Sequence, residues 1–205
     1  MTALFKEIES LIPKCHGWCS VAKAHALASI VLALRPSITL EIGVWGGRSL
    51  LPMAMAHKHL GYGEVIGIDP WHAFNSIEGQ PEEHKQWWGK IDHESVYLDF
   101  CRKIDQHQLS GVVRIHRQPS DAVKPPDLID LAHIDGNHGP QALRDAQRFA
   151  VNIRVGGMLC LDDLTNSTPE WAANVGQAAD FCKSIGFREL YRMDTCAFYQ
   201  RVSWT

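Results

Sequence analysis

The chain lacks what would mark it for a membrane, a nucleic acid or an oxidising compartment. No apolar run in its 205 residues approaches the ~20 needed to span a bilayer, so no membrane partner is expected. The N-terminal MTALFKEIESLIPK carries acids where a signal peptide needs an apolar core. A cytoplasmic protein is expected. Twenty Lys and Arg against 23 Asp and Glu leave a formal charge of -3, without the basic excess that binding to a phosphate backbone requires, which argues against a nucleic-acid substrate. The six cysteines are scattered and match no disulfide framework. Their one cluster, Cys15-His16-x-x-Cys19, has no second Cys/His pair downstream to complete a zinc site, so an ordinary loop is favoured there and free thiols are expected. Internal repeats and low-complexity tracts are absent too.

What is present is a core-forming composition, 45% hydrophobic, in a length that suits one domain over residues 1–205. Short apolar runs bounded by turn residues alternate with helical patterns, which predicts an α/β fold: a three-layer, Rossmann-like arrangement with a mainly parallel sheet. Expected strands are Ile38 to Ile42, Glu64 to Ile68, Val112 to His116, Leu128 to Ile134 and Met158 to Leu161, followed by a C-terminal antiparallel hairpin of FRELYRM and CAFYQRV around Asp194-Thr195. N-terminal helices fill 1–36. The first is amphipathic, with Leu4, Ile8 and Leu11-Ile12 at helical spacing; Ser20 caps the second, whose face is read as Ala22, Ala26, Ile30 and Leu34. A helix from Val96 to Leu109 has Val96, Phe100 and Ile104 on one face, and a crossover helix opening with Pro140 is read with Leu143, Ala146, Ala150 and Ile153 on one face. Residues 71–95 are polar yet hold Trp71, Trp87 and Trp88, so they form either a lid insertion over a site or a surface helix docked on the core.

The polar residues that stand out fall at the ends of expected strands. Ile38 to Ile42 runs into GVWGGRS, whose glycines at 43, 46 and 47 permit close backbone approach to a ligand at a helix N-terminus. Asp69 closes the next strand, where a ribose-binding acid would sit; the bland alternative is a turn acid before Pro70. Asp135 closes a further strand and Asp162-Asp163 another. Parallel pairing would gather three carboxylates and His138 at the carboxyl edge, where α/β folds keep their ligands. Like charges so placed call for a hard divalent cation with oxygen ligands. Such an ion would orient an acceptor hydroxyl and lower its pKa, and His138, three residues beyond Asp135, suits a base at neutral pH. His138 could instead be a helix-start histidine bonded to a loop carbonyl. His133 shares a strand face with Asp135 and reads as its support.

Four segments, LEIGVWGGRS (Leu40 to Ser49), VIGIDPW (Val65 to Trp71), HIDGNH (His133 to His138) and GGMLCLDD (Gly156 to Asp163), occur in an order that resembles the class I S-adenosylmethionine-dependent methyltransferases. Within them the chain is similar to the small metal-dependent O-methyltransferases related to macrocin O-methyltransferase and the novobiocin sugar O-methyltransferases. The resemblance implies an enzyme that methylates a hydroxyl of a small molecule such as a sugar, a polyketide, a peptide natural product or a diol, with S-adenosylmethionine and magnesium or another divalent cation as cofactors. It implies Glu41 and Gly43 near the methionine part of the cofactor, Asp69 on the ribose hydroxyls and Ser120 at the adenine. Asp135 also lies on the cofactor side, Asp135, Asp162 and Asp163 match the metal ligands, and His138 matches the general base. Catechol-type enzymes have Asn where this chain has Asp163. Two other readings stand beside it: a nicotinamide-dependent oxidoreductase, against which the missing G-x-G-x-x-G spacing counts, and a catalytically inert cofactor-binding module. The acceptor's identity and any homo-oligomer are left open.

Overall fold

The computed structural model describes residues 2–204. Its centre is a seven-stranded sheet in the order β3-β2-β1-β4-β5-β7-β6, formed by β1 (Ile38–Ile42), β2 (Glu64–Ile68), β3 (Val113–His116), β4 (Ile129–Ile134), β5 (Ile153–Leu161), β6 (Phe187–Met193) and β7 (Cys196–Arg201). The first five strands are mutually parallel, and β7 pairs antiparallel with both β5 and β6. The class expected from sequence is therefore the class observed. Strand order reverses direction at β1, between β2 and β4, which opens a crevice outside the carboxyl ends of these strands.

Alternation along the strands splits the core into two layers. Leu131 and Cys160 face helices α1 (Thr2–Leu11), α2 (Val21–Leu34), α3 (Leu50–Leu60) and α6 (His93–Gln106), while Leu40, Ile42, Ala132 and Ile134 face α7 (Gln141–Phe149) and α8 (Pro169–Ser184). Because Glu41 sits between Leu40 and Ile42, period-2 geometry turns it toward the α2 layer. The β1–β4 register then sets it beside His133.

Three helix readings shift. The buried stripe of α2 is Lys23, Ala24, Leu27, Ala28 and Val31, not Ala22, Ala26, Ile30 and Leu34; the helix is apolar nearly all round, so periodicity alone could not choose its inner face. In α7 the stripe is Ala142, Asp145, Ala146 and Phe149, and Ile153 already belongs to β5. Pro140 is the cap residue, one position before the helix. α6 begins at His93, capped by Asp92, whose carboxylate accepts from the Ser95 amide.

The tryptophan-bearing insertion resolves into two short helices, α4 (Ala73–Ile77) and α5 (Glu82–Trp88), neither of which has a buried residue. Trp71 does not belong with them. It is a core side chain, stacked on Phe100 of α6 with ring centroids 5.7 Å apart.

Candidate functional site

Each site residue is held at the carboxyl edge by a common device: the first residue past a strand still donates into the neighbouring strand. Gly43 N–H donates to the Ile68 carbonyl (2.9 Å), Asp69 to His116 (3.2 Å), Asp135 to Ile42 (2.8 Å) and Asp162 to Ile134 (3.0 Å). Side chains at those positions inherit the rigidity of the sheet. Together they line a cleft of about 810 Å³.

Over β1 and β2 the polar groups are answered by main chain. Asp69 accepts from the Trp71 amide (2.7 Å) and the Trp45 amide (2.9 Å), and the Trp71 indole donates to the Trp45 carbonyl (2.9 Å). Both tryptophans hold left-handed backbone, at φ 49° and 44°, a conformation bulky residues adopt only when their surroundings over-determine it. Burial raises the Asp69 pKa, and the two amide bonds oppose that rise. Gly43 lines the cleft, and the glycine turn also has a packing role. A Cβ on Gly43 would lie 2.0 Å from the Asp135 carbonyl oxygen, and one on Gly46 would lie 2.5 Å from that of His16. These glycines admit other backbone of the same chain, which lets the β1 and β4 turns meet.

Over β4 and β5 the charges are answered by side chains from distant parts of the sequence. Lys23 of α2, buried, donates to the Asp162 carboxylate. Thr195 donates to the other Asp162 oxygen at 2.9 Å. His133 lies between Asp162 (3.4 Å from Nε2) and Glu41 (2.6 Å from Nδ1). Burial pulls the His133 pKa down, but these carboxylates outweigh it and hold the ring protonated. Lys23 is likewise opposed by burial and held charged by Asp135 and Asp162, while burial, outweighed by His133 and Lys23, leaves Asp162 well below the usual carboxylate range. Glu41, His133, Asp162 and Lys23 thus form an alternating line of charge from the sheet interior to the cleft floor. Glu41 is 0% exposed and is no part of the cleft wall. Its expected place beside the cofactor gives way to pairing with His133, because both face the α2 layer in register.

Asp135, Asp163 and His138 come together on the open side of this line. Their ligand atoms lie within 4.8 Å of one another. His138 Nε2 is 2.7 Å from Asp163 Oδ2, and Asn166 donates to the other Asp163 oxygen at 2.6 Å. Burial opposes charge on His138, but Asp163 raises its pKa above the ordinary histidine value. Among the described residues, none donates a hydrogen bond to the Asp135 carboxylate; burial first, then repulsion from Asp162, pushes its pKa well up. An acid so placed is stable as a carboxylate only beside added positive charge. The donor set therefore fits a hard divalent cation, through Asp135 and Asp163. Asp162, expected as a third ligand, is already neutralised by Lys23.

At the far end Ser120 donates to Asp145 (2.5 Å), which also accepts from Gln141 (2.8 Å). Burial raises the Asp145 pKa to about 6. Sequence reading missed Lys23 and Asp145; the signal for each was a charged residue flanked by small apolar ones within a helix, Ala22 and Ala24 about Lys23 and Ala142 and Ala146 about Asp145. It also missed Asn137, whose side chain donates to the Asn75 and Glu78 carbonyls (2.9 and 2.7 Å) and so ties the insertion to the β4 turn.

With this geometry in place, comparisons with known proteins are informative. Residues 40–164 match the family model described as a methyltransferase domain. No curated protein matches the chain significantly. Among solved structures, the O-methyltransferase NovP is 16% identical, with 91% of this chain and 84% of that one covered and a TM-score of 0.66. The S-adenosylhomocysteine-bound methyltransferase PaMTH1 of Podospora anserina is 14% identical over 98% and 88%, with a TM-score of 0.66. The O-methyltransferase TomG of Streptomyces achromogenes, involved in tomaymycin synthesis and solved with S-adenosylmethionine, is 13% identical over 90% and 81%, with a TM-score of 0.59. No helix among the described residues is long and apolar enough to cross a membrane. The matched segment carries the β1 turn, Asp69, Ser120 and all the clustered acids, and it favours methyl transfer over the nicotinamide-dependent alternative: the chain belongs to the methyltransferase-domain family and is a methyltransferase with the class I S-adenosylmethionine-dependent fold.

Proposed function

We propose that the protein transfers the methyl group of S-adenosylmethionine to a hydroxyl of a small molecule, assisted by a divalent cation such as magnesium. The observation that carries this reading is the 2.7 Å pairing of His138 with Asp163 beside Asp135, whose carboxylate receives no hydrogen bond from the described residues, at the edge of the cleft.

In this reading Asp69 accepts hydrogen bonds from the ribose hydroxyls, its carboxylate already aimed by two amides. The Gly43 turn lies beneath the methionine part, and Ser120 with Asp145 borders the adenine. Asp135 and Asp163 hold the cation, which supplies positive charge that orients the acceptor oxygen and favours loss of its proton. Asp162, carrying Lys23, acts behind them: it fixes Asp163, whose amide donates to Asp162 at 3.0 Å. His138 takes the acceptor's proton. Trp171 packs on the His138 ring at 4.5 Å and limits its rotation, so the base is oriented before substrate arrives. Residues 72–91 close the cleft from above as a lid.

Incubation with methyl-labelled S-adenosylmethionine, magnesium and hydroxylated acceptors, followed by mass spectrometry, tests the reading. Labelled methyl on oxygen, abolished by chelator, is the expected result. Full activity in excess chelator would remove the cation, and no binding of S-adenosylmethionine by calorimetry would overturn the whole.

A further inference from the structure

The mouth of the cleft is aromatic beyond what folding requires. His84, Trp87 and Trp88 stand at i, i+3 and i+4 of α5 and so share one helix face. Trp88 meets Trp45 at 5.1 Å, while Trp87 and Trp88 meet Trp18 at 5.6 and 6.0 Å. On the other side His84 lies 4.6 Å from Trp171, which in turn packs on His138. α5 therefore spans the cleft from the β1 turn to the wall made by α8. Two of these indoles stay largely in solvent, Trp18 at 70% and Trp87 at 47% exposure, so the hydrophobic core does not account for them. Exposed rings lining one open cleft offer binding area for another flat apolar group.

Charge narrows the choice. Lys23 and Arg48 are the lysine and arginine among the described residues that line the cleft; Lys23 is paired with Asp162, and Arg48 donates from Nε and Nη1 to the carbonyls of Ile12 and Gly17. The remaining charged lining is rich in acids, Glu78, Asp121 and Asp194 among them. An acidic wall of this kind suits an uncharged acceptor better than an anionic one, which would depend on Arg48, His138 and the proposed divalent cation.

Resting on the methyl-transfer reading, we propose that the acceptor is a flat aromatic hydroxyl compound. It lies against Trp18, Trp87 and Trp88 with its hydroxyl toward Asp135, Asp163 and His138. In the reaction the phenolic oxygen forms a bond to the methyl carbon as the carbon–sulfur bond breaks. Sulfur keeps that electron pair and becomes a neutral thioether, and the phenolic proton passes to His138.

The test begins with calorimetric titration of S-adenosylmethionine into the full chain. Its absence would overturn the methyl-transfer reading and this inference with it. Given binding, catechol and dihydroxynaphthalene are compared with methyl glucoside and a nucleotide-linked sugar at equal concentration with magnesium, scoring both methyl incorporation and quenching of tryptophan emission. The aromatic probes should bind and be methylated at least tenfold faster. Trp18→Ala and Trp87→Ala should each raise their KM about tenfold or more, leaving the affinity for S-adenosylmethionine and the melting temperature unchanged. Preference for either sugar, failure of both aromatic probes to bind, or an unmoved KM in both variants would overturn the aromatic assignment while leaving methyl transfer standing.

Discussion

The two halves of the cleft floor solve one problem by different means. Over β1 and β2 a single acid, Asp69, is held by amides from residues 45 and 71, both within turns that follow the strands. Over β4 and β5, Asp162, Asp163 and the Glu41 of neighbouring β1 interlock with Lys23, His133 and His138, and the partners come from far apart: Lys23 reaches Asp162 across 139 positions of sequence, and Glu41 reaches His133 across 92. Main-chain donors are fixed by the turn that carries them and change little with the rest of the fold. Side-chain ion pairs exist only once the layers have packed, and a buried one that loses a partner leaves a naked charge. The first half should therefore tolerate substitution as a local loss of binding, whereas the second should respond as a network.

The largest effect expected is on stability. Lys23→Met leaves His133, among the described residues, as the one cationic side chain paired with Asp162 and should cost about 3–5 kcal/mol, as broken buried pairs do, read as a lowered denaturant midpoint. A loss within experimental error would show that the β4–β5 half is no network. His138→Ala comes next. The rate of methyl transfer should fall by about 10²-fold or more while cofactor binding persists, as loss of a positioned base implies, and stopped assays on the purified variant would show it. Asp69→Ala probes the other half. Affinity for S-adenosylmethionine should drop ten- to a hundredfold, the scale of charge-assisted bonds to two hydroxyls, with a smaller loss of stability than in Lys23→Met because the Trp45 and Trp71 amides lose their acceptor; calorimetry and a melting curve on one sample separate the two effects.

The smallest effect concerns Asp145, whose pKa rises on folding from 3.8 to about 6. Between those values the folded protein holds a proton that the unfolded chain has released. The group's contribution to stability is thus complete below about pH 4 and is lost as pH rises through 6. Asp145→Asn removes this dependence. Relative to wild type it should gain on the order of 1–2 kcal/mol between about pH 4 and pH 7, once hydrogen bonds from Ser120 and Gln141 are set against the desolvation it relieves. Parallel denaturation curves for the two proteins that keep a constant separation across that range would remove Asp145 from the pH response.

Sequence by itself determined a good deal. Apolar runs of strand length, punctuated by glycine and ending in acid, located the five parallel strands and the terminal hairpin, because a strand buried on both faces is nearly all apolar and an acid or glycine after its last apolar residue marks the sheet's edge. That rule placed Gly43, Asp69, Asp135 and Asp162-Asp163 at the carboxyl edge before any fold was known. Packing decided what each of them does there. Glu41 left the cleft because β1 and β4 set it in register with His133. Asp162 is paired with Lys23 because α2, apolar on almost every side, turned that lysine inward. Asp145 entered the cleft wall on the buried stripe of α7, and the glycine turn proved to admit the chain's own backbone. Local periodicity says which positions are inside an element but not which charge will face which across a layer. Pairing energies between buried groups arise only when tertiary structure brings them within a few ångströms of one another.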